Sequence, residues 1–129
     1  MYRVRTAAAL IGLLLAGASS ATDPPPLVLK AKIPLGAVGG RIDHFAFDAD
    51  RRLLFVAELG NDSVGVVDLN ERKILHRIAG LSEPQGLAYH PDTSMLYVAN
   101  AGDGSVRLYR VPAFTPAGRI ESMLAMRRT

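Results

Sequence analysis

The sequence contains no cysteine, and only 6% of its 129 residues are aromatic. The missing cysteine excludes disulfide bridges, thiolate zinc sites, cysteine nucleophiles and a lipid anchor attached to a lipobox cysteine. Recognisable catalytic motifs are missing as well. Gly102-Asp103-Gly104 lacks both the Gly-x-Gly-x-x-Gly pattern and the Lys-Ser/Thr ending of a phosphate loop. No Gly-x-Ser-x-Gly nucleophile elbow occurs, so the sequence offers no nucleophile with a plausible base.

An excess of one charge is also missing from the body of the chain. The formal net charge of +3 comes from the ends, where Arg3, Arg5, Arg127, Arg128 and Glu121 lie. Residues 22–120 carry 11 basic and 11 acidic side chains. No cluster of lysine and arginine interleaved with aromatic residues occurs, so we expect no nucleic-acid partner.

The longest apolar run lies at the start of the chain. Arg3 and Arg5 precede the apolar stretch Thr6 to Ala18, and Ser19-Ser20-Ala21 places small residues at the −3 and −1 sites of a signal peptidase. A membrane-spanning helix needs about 20 apolar residues, which this run does not reach. We therefore predict a cleaved signal peptide over residues 1–21, with a membrane anchor as the alternative. Export without disulfides suits a periplasmic or secreted protein.

What the sequence does contain is an internal repeat. Residues 45–69 align with residues 87–111 over 25 positions without a gap, at an offset of 42 residues. Eight of the aligned pairs are identical: Ala46/Ala88, Asp50/Asp92, Leu54/Leu96, Val56/Val98, Ala57/Ala99, Gly60/Gly102, Ser63/Ser105 and Val64/Val106. Similarity at this density indicates that one structural unit occurs twice.

Each copy of the repeat has the pattern of four short β-strands, and no helical periodicity follows the apolar start. In the second copy we predict strands at 86–89, 95–99, 105–111 and 117–120. We expect Val106, Leu108 and Val111 to face a core, with a local break in the alternation. Four strands that recur every 42 residues are typical of a propeller blade. The competing β-sandwich has no reason to repeat at a fixed spacing. The sequence therefore predicts an all-β chain, a partial β-propeller of about two four-stranded blades after a signal peptide.

Two segments of the repeat resemble the YVTN family of bacterial β-propeller repeat proteins. In that family the second strand reads Tyr-Val-Thr-Asn or a variant, followed by a Gly/Asp/Asn turn and a Ser/Thr-Val strand. Tyr97-Val98-Ala99-Asn100 matches this motif at three of four positions, and Phe55-Val56-Ala57-Glu58 is a looser copy. The resemblance covers roughly residues 40–120. It implies a propeller scaffold and leaves the function open, because the family serves mainly as a scaffold.

The chain divides into five predicted segments. They are a signal peptide (1–21), a linker with a stray closing strand (22–40), a first blade (41–83), a second blade (84–120) and an aberrant tail (121–129). We expect Leu27 to Leu35 to belong to the last blade of a complete ring and to close it by strand exchange. Propellers have roughly 4 to 8 blades, so we expect the remaining blades to be missing from this chain. Truncation or translation out of frame would explain a tail without a glycine loop or strand alternation.

In a propeller, the loops that enter the innermost strand share one rim with the loops between the second and third strands. Ligands usually dock at such a rim. The polar residues predicted there are the candidate binding residues: Arg41, Asp43, His44, Glu58, Asn61, Asp62, Gln85, Asn100 and Asp103.

Asp43-His44 is the most suggestive pair, because Gln85-Gly86 holds the equivalent position and the repeat therefore does not require it. A neutral imidazole beside carboxylates could ligate a metal or act as a base. Alternatively, the pair hydrogen-bonds a neighbouring blade and loop amides. Adjacent strand residues point to opposite faces, so we do not expect the two to act on one ligand. Glu58 and Asn100 could hold a cation with oxygen ligands or hydrogen-bond the adjacent turn.

Functions from different classes remain open. The favoured one is a non-catalytic exported propeller whose rim binds a protein, a glycan or a small ligand, with no cofactor, no catalytic residue and no stable membrane anchor. The second is a propeller enzyme, either a metal-dependent lactonase-like hydrolase or a periplasmic dehydrogenase, with Asp43, His44 and Glu58 as candidate site residues. A third is that the truncated chain has no function of its own.

Overall fold

The computed structural model describes Asp23 and residues 26–121, so the predicted signal peptide and the tail beyond Glu121 lie outside the described residues. Residues 26–121 contain no α-helix, only two short 3-10 turns at Leu59–Asn61 and Pro91–Thr93. No helix in this part of the chain is long and apolar enough to cross a membrane. The eight strands are β1 (Phe45–Asp48), β2 (Leu53–Glu58), β3 (Ser63–Asp68), β4 (Lys73–Ile78), β5 (Pro84–His90), β6 (Met95–Asn100), β7 (Ser105–Arg110) and β8 (Thr115–Glu121).

The strands form two four-stranded antiparallel sheets with the orders β1-β2-β3-β4 and β5-β6-β7-β8. Each sheet is a meander, in which every strand pairs with the next one along the chain. This confirms the all-β prediction and the two four-stranded blades of a partial propeller. The last strand of the second sheet, β8, is longer than the predicted 117–120, since it begins at Thr115 and includes Glu121.

The repeat extends to the backbone conformation of the turns. Non-glycine residues rarely adopt a positive φ, yet such residues recur in the connections of both sheets. In three equivalent pairs, each 42 residues apart, both members have positive φ, and all except Gly104 are non-glycine: Arg52 (54°) and Ser94 (50°), Asp62 (50°) and Gly104 (70°), Arg72 (55°) and Phe114 (56°). The two sheets are therefore copies of one unit in backbone geometry as well as in sequence.

The hydrophobic core lies between the two sheets. Phe55 and Val66 of the first sheet and Leu96 and Val98 of the second are fully buried in it. The closest approach brings β5 against β1 and β2, where the rings of Phe55 and Tyr89 lie 5.6 Å apart. Each fully buried apolar side chain of this size stabilises the fold by roughly 1.5–3 kcal/mol. The sheets thus pack face to face, as successive propeller blades do.

One predicted core assignment on β7 is wrong. Val111 lies in the core as expected, but Tyr109 accompanies it instead of Val106 and Leu108. Tyr109 pairs with Leu96 on the face toward the first sheet, whereas Leu108 pairs with Tyr97 on the opposite face. Both Val106 and Leu108 are half-buried. Apolar residues on both faces of β7 leave the choice of face open, and a one-residue shift reverses it.

Residues 26–44 form no strand. Leu27, Val28 and Leu29 are exposed, and the described residues hold no further sheet for them to join. The role of Leu27–Leu35 as the closing strand of another blade therefore stays a prediction.

Candidate functional site

The connections at one end of the two sheets form the rim, which comprises residues 39–44, 59–62, 79–83 and 101–104. Backbone hydrogen bonds join these connections. The Gly60 amide donates to the Arg41 carbonyl at 3.0 Å, and the Leu81 amide donates to the Asp62 carbonyl at 3.0 Å. The first bond ties loops within one sheet, and the second ties the β2–β3 connection to the segment that enters the second sheet.

Glu58 ends β2 with a fully buried carboxylate. Its Oε2 accepts hydrogen bonds from Ser63 Oγ at 2.5 Å and from Arg77 Nε at 2.9 Å, and its Oε1 accepts from Arg77 Nη2 at 3.2 Å. A Cβ at Gly65 would lie 2.5 Å from Oε1, so glycine there makes room for the carboxylate. Arg77 also donates to the Leu35 carbonyl at 2.5 Å. Both carboxylate oxygens of Glu58 thus accept hydrogen bonds from side chains of this chain. These bonds join β2 to β3 and β4, and Arg77 joins β4 to the segment before β1.

Asn100 holds the equivalent position in the second sheet and also makes local hydrogen bonds. Its Oδ1 accepts from the Ser82 amide at 3.2 Å, while its Nδ2 donates to the Val98 carbonyl at 3.4 Å and to Ser105 Oγ at 3.3 Å. The side chain is buried. Glu58 and Asn100 therefore each bond the serine that directly follows the adjacent turn, Ser63 or Ser105, which is close to the second of the two roles predicted for them.

Asn61 and Asp62 connect neighbouring loops of the rim. Asn61 Oδ1 accepts from the Gly39 amide at 3.3 Å, and its Nδ2 donates to Ser63 Oγ at 2.9 Å. Asp62 Oδ1 accepts from the Glu83 amide at 2.8 Å, which joins the first sheet to the second.

Asp103 closes the β6–β7 loop. The Ser105 hydroxyl, which donates to Asp103 Oδ1 at 2.6 Å, lowers the pKa of this carboxyl below its ordinary value. Burial opposes this shift, and the Ser105 amide and the charges of Arg119 and Arg107 reinforce it. Both guanidiniums lie near Oδ2, at 3.4 Å for Arg119 and 3.6 Å for Arg107. Asp103 is thus an ionised carboxylate in an ion-pair network at the rim.

Arg41, Asp43 and His44 form the exposed part of the rim. His44 Nδ1 lies 3.2 Å from Asp43 Oδ1, and Arg41 Nη2 lies 3.9 Å from Asp43 Oδ2. The side chains of Arg41 and His44 are 68% and 67% exposed, and that of Asp43 is 27% exposed. A cation, a carboxylate and an imidazole are therefore available to solvent in one group.

The prediction that Asp43 and His44 point to opposite faces is wrong. The Asp43 amide donates to the Ala57 carbonyl and the Ala57 amide donates to the His44 carbonyl, both at 2.9 Å. Two residues thus oppose one, which is the arrangement of a β-bulge, and a bulge re-aims side chains that regular alternation would separate.

The second sheet has an irregularity at the equivalent place. Pro84 pairs with Asn100 and Gly86 with Ala99, so the register shifts around Gln85, which is half-buried. The bulge belongs to the repeated fold, whereas the side chains that it presents differ between the two copies. Of the predicted rim residues, the structure brings Arg41, Asp43 and His44 together and leaves Gln85 apart from these ion-pair contacts.

Sequence reasoning missed Arg77, the partner of Glu58, and Asp48, which lies at the opposite end of the first sheet. Asp48 is buried and accepts hydrogen bonds from the amides of Asp50 and Arg51 at 3.1 Å and from Arg51 Nη1 at 3.0 Å. An aspartate directly before a turn is a local signal for bonds to the amides two and three residues on, but Arg77 lies 19 residues from Glu58. In residues 26–121 with Asp23, no group of three His, Cys, Asp or Glu side chains could hold a metal ion.

The two repeated sheets and the shared rim define the described chain as a partial β-propeller. No family model matches the sequence, and no curated protein is significantly similar to it. Among solved structures, the chain is similar to Kuenenia stuttgartiensis hydrazine synthase, with a TM-score of 0.59 and 24% sequence identity. The match covers 74% of this chain and only 27% of that one. A likeness at this level of identity concerns the fold alone.

Proposed function

We propose that this protein is an exported β-propeller repeat protein of the YVTN type and acts as a non-catalytic scaffold that binds a protein, a glycan or a small ligand at its rim. The observation that carries the proposal is the exposed group of Arg41, Asp43 and His44. Glu58 and Asn100, by contrast, are buried and hydrogen-bonded to Ser63 and Ser105 of their own sheets.

The repeat separates residues that the fold needs from residues that it does not. The second sheet keeps the bulge but carries Gln85-Gly86 where the first has Asp43-His44. A solvent-exposed charged group that the fold does not require is a reasonable binding surface. The group offers donors and acceptors to a ligand.

Titration calorimetry of the full chain tests this proposal with four probes: an N-acetylglucosamine disaccharide, a short acidic peptide, a short basic peptide and Zn²⁺ alone. We expect the disaccharide or one peptide to bind, and His44→Ala and Asp43→Ala to weaken that binding at least about tenfold without lowering the melting temperature.

The matched control is Glu71→Gln, which removes a carboxylate from the exposed Glu71–Lys73 pair at the opposite end of the first sheet. This variant should bind as the unmodified chain does. Three results would contradict the proposal: no binding of the disaccharide or the peptides, unchanged binding by the His44 variant, or binding of Zn²⁺ alone at His44, which would favour the hydrolase.

A further inference from the structure

The central part of the face of the second sheet that points away from the first sheet is apolar, whereas His90 and Arg110 lie at one end of this face. Tyr97, Val106 and Leu108 lie on it and are half-buried, and Ile120, opposite Val106, is 55% exposed. We call this surface the trailing face. Tyr97, Val106 and Leu108 are equivalent by the repeat to three residues of the first sheet. Those three are fully buried in the core against the second sheet: Phe55, Val64 and Val66.

The first sheet also exposes apolar side chains on its outer side. Phe45 and Phe47 of β1 are 57% and 47% exposed. They share this face with Leu54, which is half-buried, and Val56, which is buried, so the open part of the face lies at β1. We call this surface the leading face. Its two phenylalanines correspond to Leu87 and Tyr89 of β5, which pack on the core between the sheets.

The observed contact between the sheets shows how these two faces fit. In this contact, β5 of the second sheet packs against β1 and β2 of the first sheet. The side of the second sheet that takes part corresponds to the leading face, and the side of the first sheet corresponds to the trailing face. An equivalent contact between two molecules would place β1 of one copy against β5 and β6 of another. The segment before β1 contacts β4 at one edge of the first sheet, where Arg77 donates a hydrogen bond to the Leu35 carbonyl. The strand β1 forms the other edge, and its two phenylalanines stay exposed.

We propose that the trailing face binds the leading face of a second copy of this chain, head to tail. Each chain has both a leading face and a trailing face, and these correspond to the two surfaces that pack together between its own sheets. Every copy can therefore bind another copy through either face. Such a heterologous contact closes into a ring or continues as an open filament.

Sedimentation velocity of the full chain and of two blocked variants tests the proposal. Phe45→Glu/Phe47→Glu blocks the leading face, and Tyr97→Glu blocks the trailing face. Each variant alone should associate at least about tenfold more weakly than the unmodified chain, because a charge buried at an apolar contact is unfavourable. Leu75→Glu removes a similarly exposed hydrophobic side chain from β4 (49% exposed) and should leave association unchanged.

Mixing the two blocked variants gives the discriminating result. Each retains one intact face, so the mixture should form 1:1 dimers and nothing larger. The proposal is overturned if the unmodified chain stays monomeric, if either variant associates normally, or if the mixture shows no dimers while circular dichroism shows both variants folded. Phe47→Ser is a milder leading-face variant, to be used in the same mixture if the double substitution does not fold.

Discussion

Gly60 and Gly102 form one of the identical pairs of the repeat, and both lie where two backbone segments meet. A Cβ at Gly60 would approach the Gly40 Cα to 2.5 Å and the Arg41 amide nitrogen to 2.6 Å. A Cβ at Gly102 would clash with Ser82 Oγ and lie 3.1 Å from the Ser82 carbonyl oxygen. Glycine is therefore needed at this position of each copy because the rim loop packs directly on the segment that enters the sheet.

We expect Gly60→Ala to lower the free energy of unfolding by about 1–3 kcal/mol, because the added methyl group forces two backbone segments apart. Urea denaturation measures this change. Gly118→Ala is the control, since a Cβ there would meet no atom within 4 Å, and it should change stability by no more than about 0.5 kcal/mol. Equal effects of the two substitutions would contradict the close approach at Gly60.

The Asp48 carboxylate makes stability depend on acid pH. Burial alone would raise the pKa of this carboxyl, but the amide and guanidinium of Arg51 and the Tyr89 hydroxyl outweigh burial and lower it below its ordinary value. The unfolded chain then binds the proton more readily than the folded chain. The stabilisation is therefore fully present above the ordinary pKa, near pH 4, and is lost as the pH falls through the lower folded value.

Asp48→Asn should remove part of this acid-dependent loss. We expect the variant to be less stable at pH 7 and to show a flatter decline in melting temperature between about pH 4 and pH 2. Asp50→Asn, at an exposed position two residues along, serves as the control and should keep the steeper decline. An unchanged decline in the Asp48 variant would show that this carboxylate is not linked to folding.

At the scale of the elements, the 42-residue repeat predicted the number, order and approximate bounds of the strands. Local signals suffice for this, because glycine-bearing turns and period-two alternation depend on neighbours in sequence. The face of β7 that joins the core was not predictable, since Val106, Leu108 and Tyr109 are all apolar and pairing with β6 decides among them. Tertiary contacts supply that information.

The candidate site was predictable in position but not in detail. The rim residues follow from blade topology, yet the contact between Asp43 and His44 depends on a bulge that regular alternation does not foresee. Likewise, nothing local to Glu58 shows that Arg77 neutralises it, because the two residues lie on different strands. Contacts between strands thus decide that Glu58 is a buried structural residue, whereas Asp43 and His44 lie together at the surface.

The packing of the two sheets is tested by comparing two leucines. Leu96 of β6 is fully buried between the sheets, whereas Leu75 of β4 is 49% exposed. Leu96→Ala should lower the free energy of unfolding by about 2–5 kcal/mol through lost burial and a cavity. Leu75→Ala should cost no more than about 0.5 kcal/mol. Similar losses in urea denaturation would contradict the face-to-face arrangement.

At the scale of the whole molecule, export is a prediction that concerns residues outside the described part. If residues 1–21 are a cleaved signal, the mature chain begins at Thr22 and fractionates with the periplasm or the medium. N-terminal sequencing of the expressed protein measures this. Replacing Leu13 and Leu14 by Arg should block processing by interrupting the apolar run, and an intact Met1 in membranes would favour the anchor instead.

Both outer faces of the sheet pair are apolar, and this governs how the molecule behaves in solution. Phe45 and Phe47 are exposed on one side, and Tyr97 and Leu108 are half-buried on the other. Large apolar side chains each contribute roughly 1.5–3 kcal/mol when buried, against a net stability of about 5–15 kcal/mol for a whole domain. Covering Phe45 and Phe47 on one side and Tyr97 and Leu108 on the other would therefore add stabilisation comparable with a substantial part of that total.

Sedimentation velocity of residues 22–129 over a range of concentrations tests most directly whether these faces are interfaces. The predicted result is a sedimentation coefficient that rises with concentration as the chains associate, with no stable monomer at the upper end. A monodisperse monomer at every concentration, with a cooperative thermal transition, would show that two sheets suffice by themselves and would contradict the interpretation of both faces.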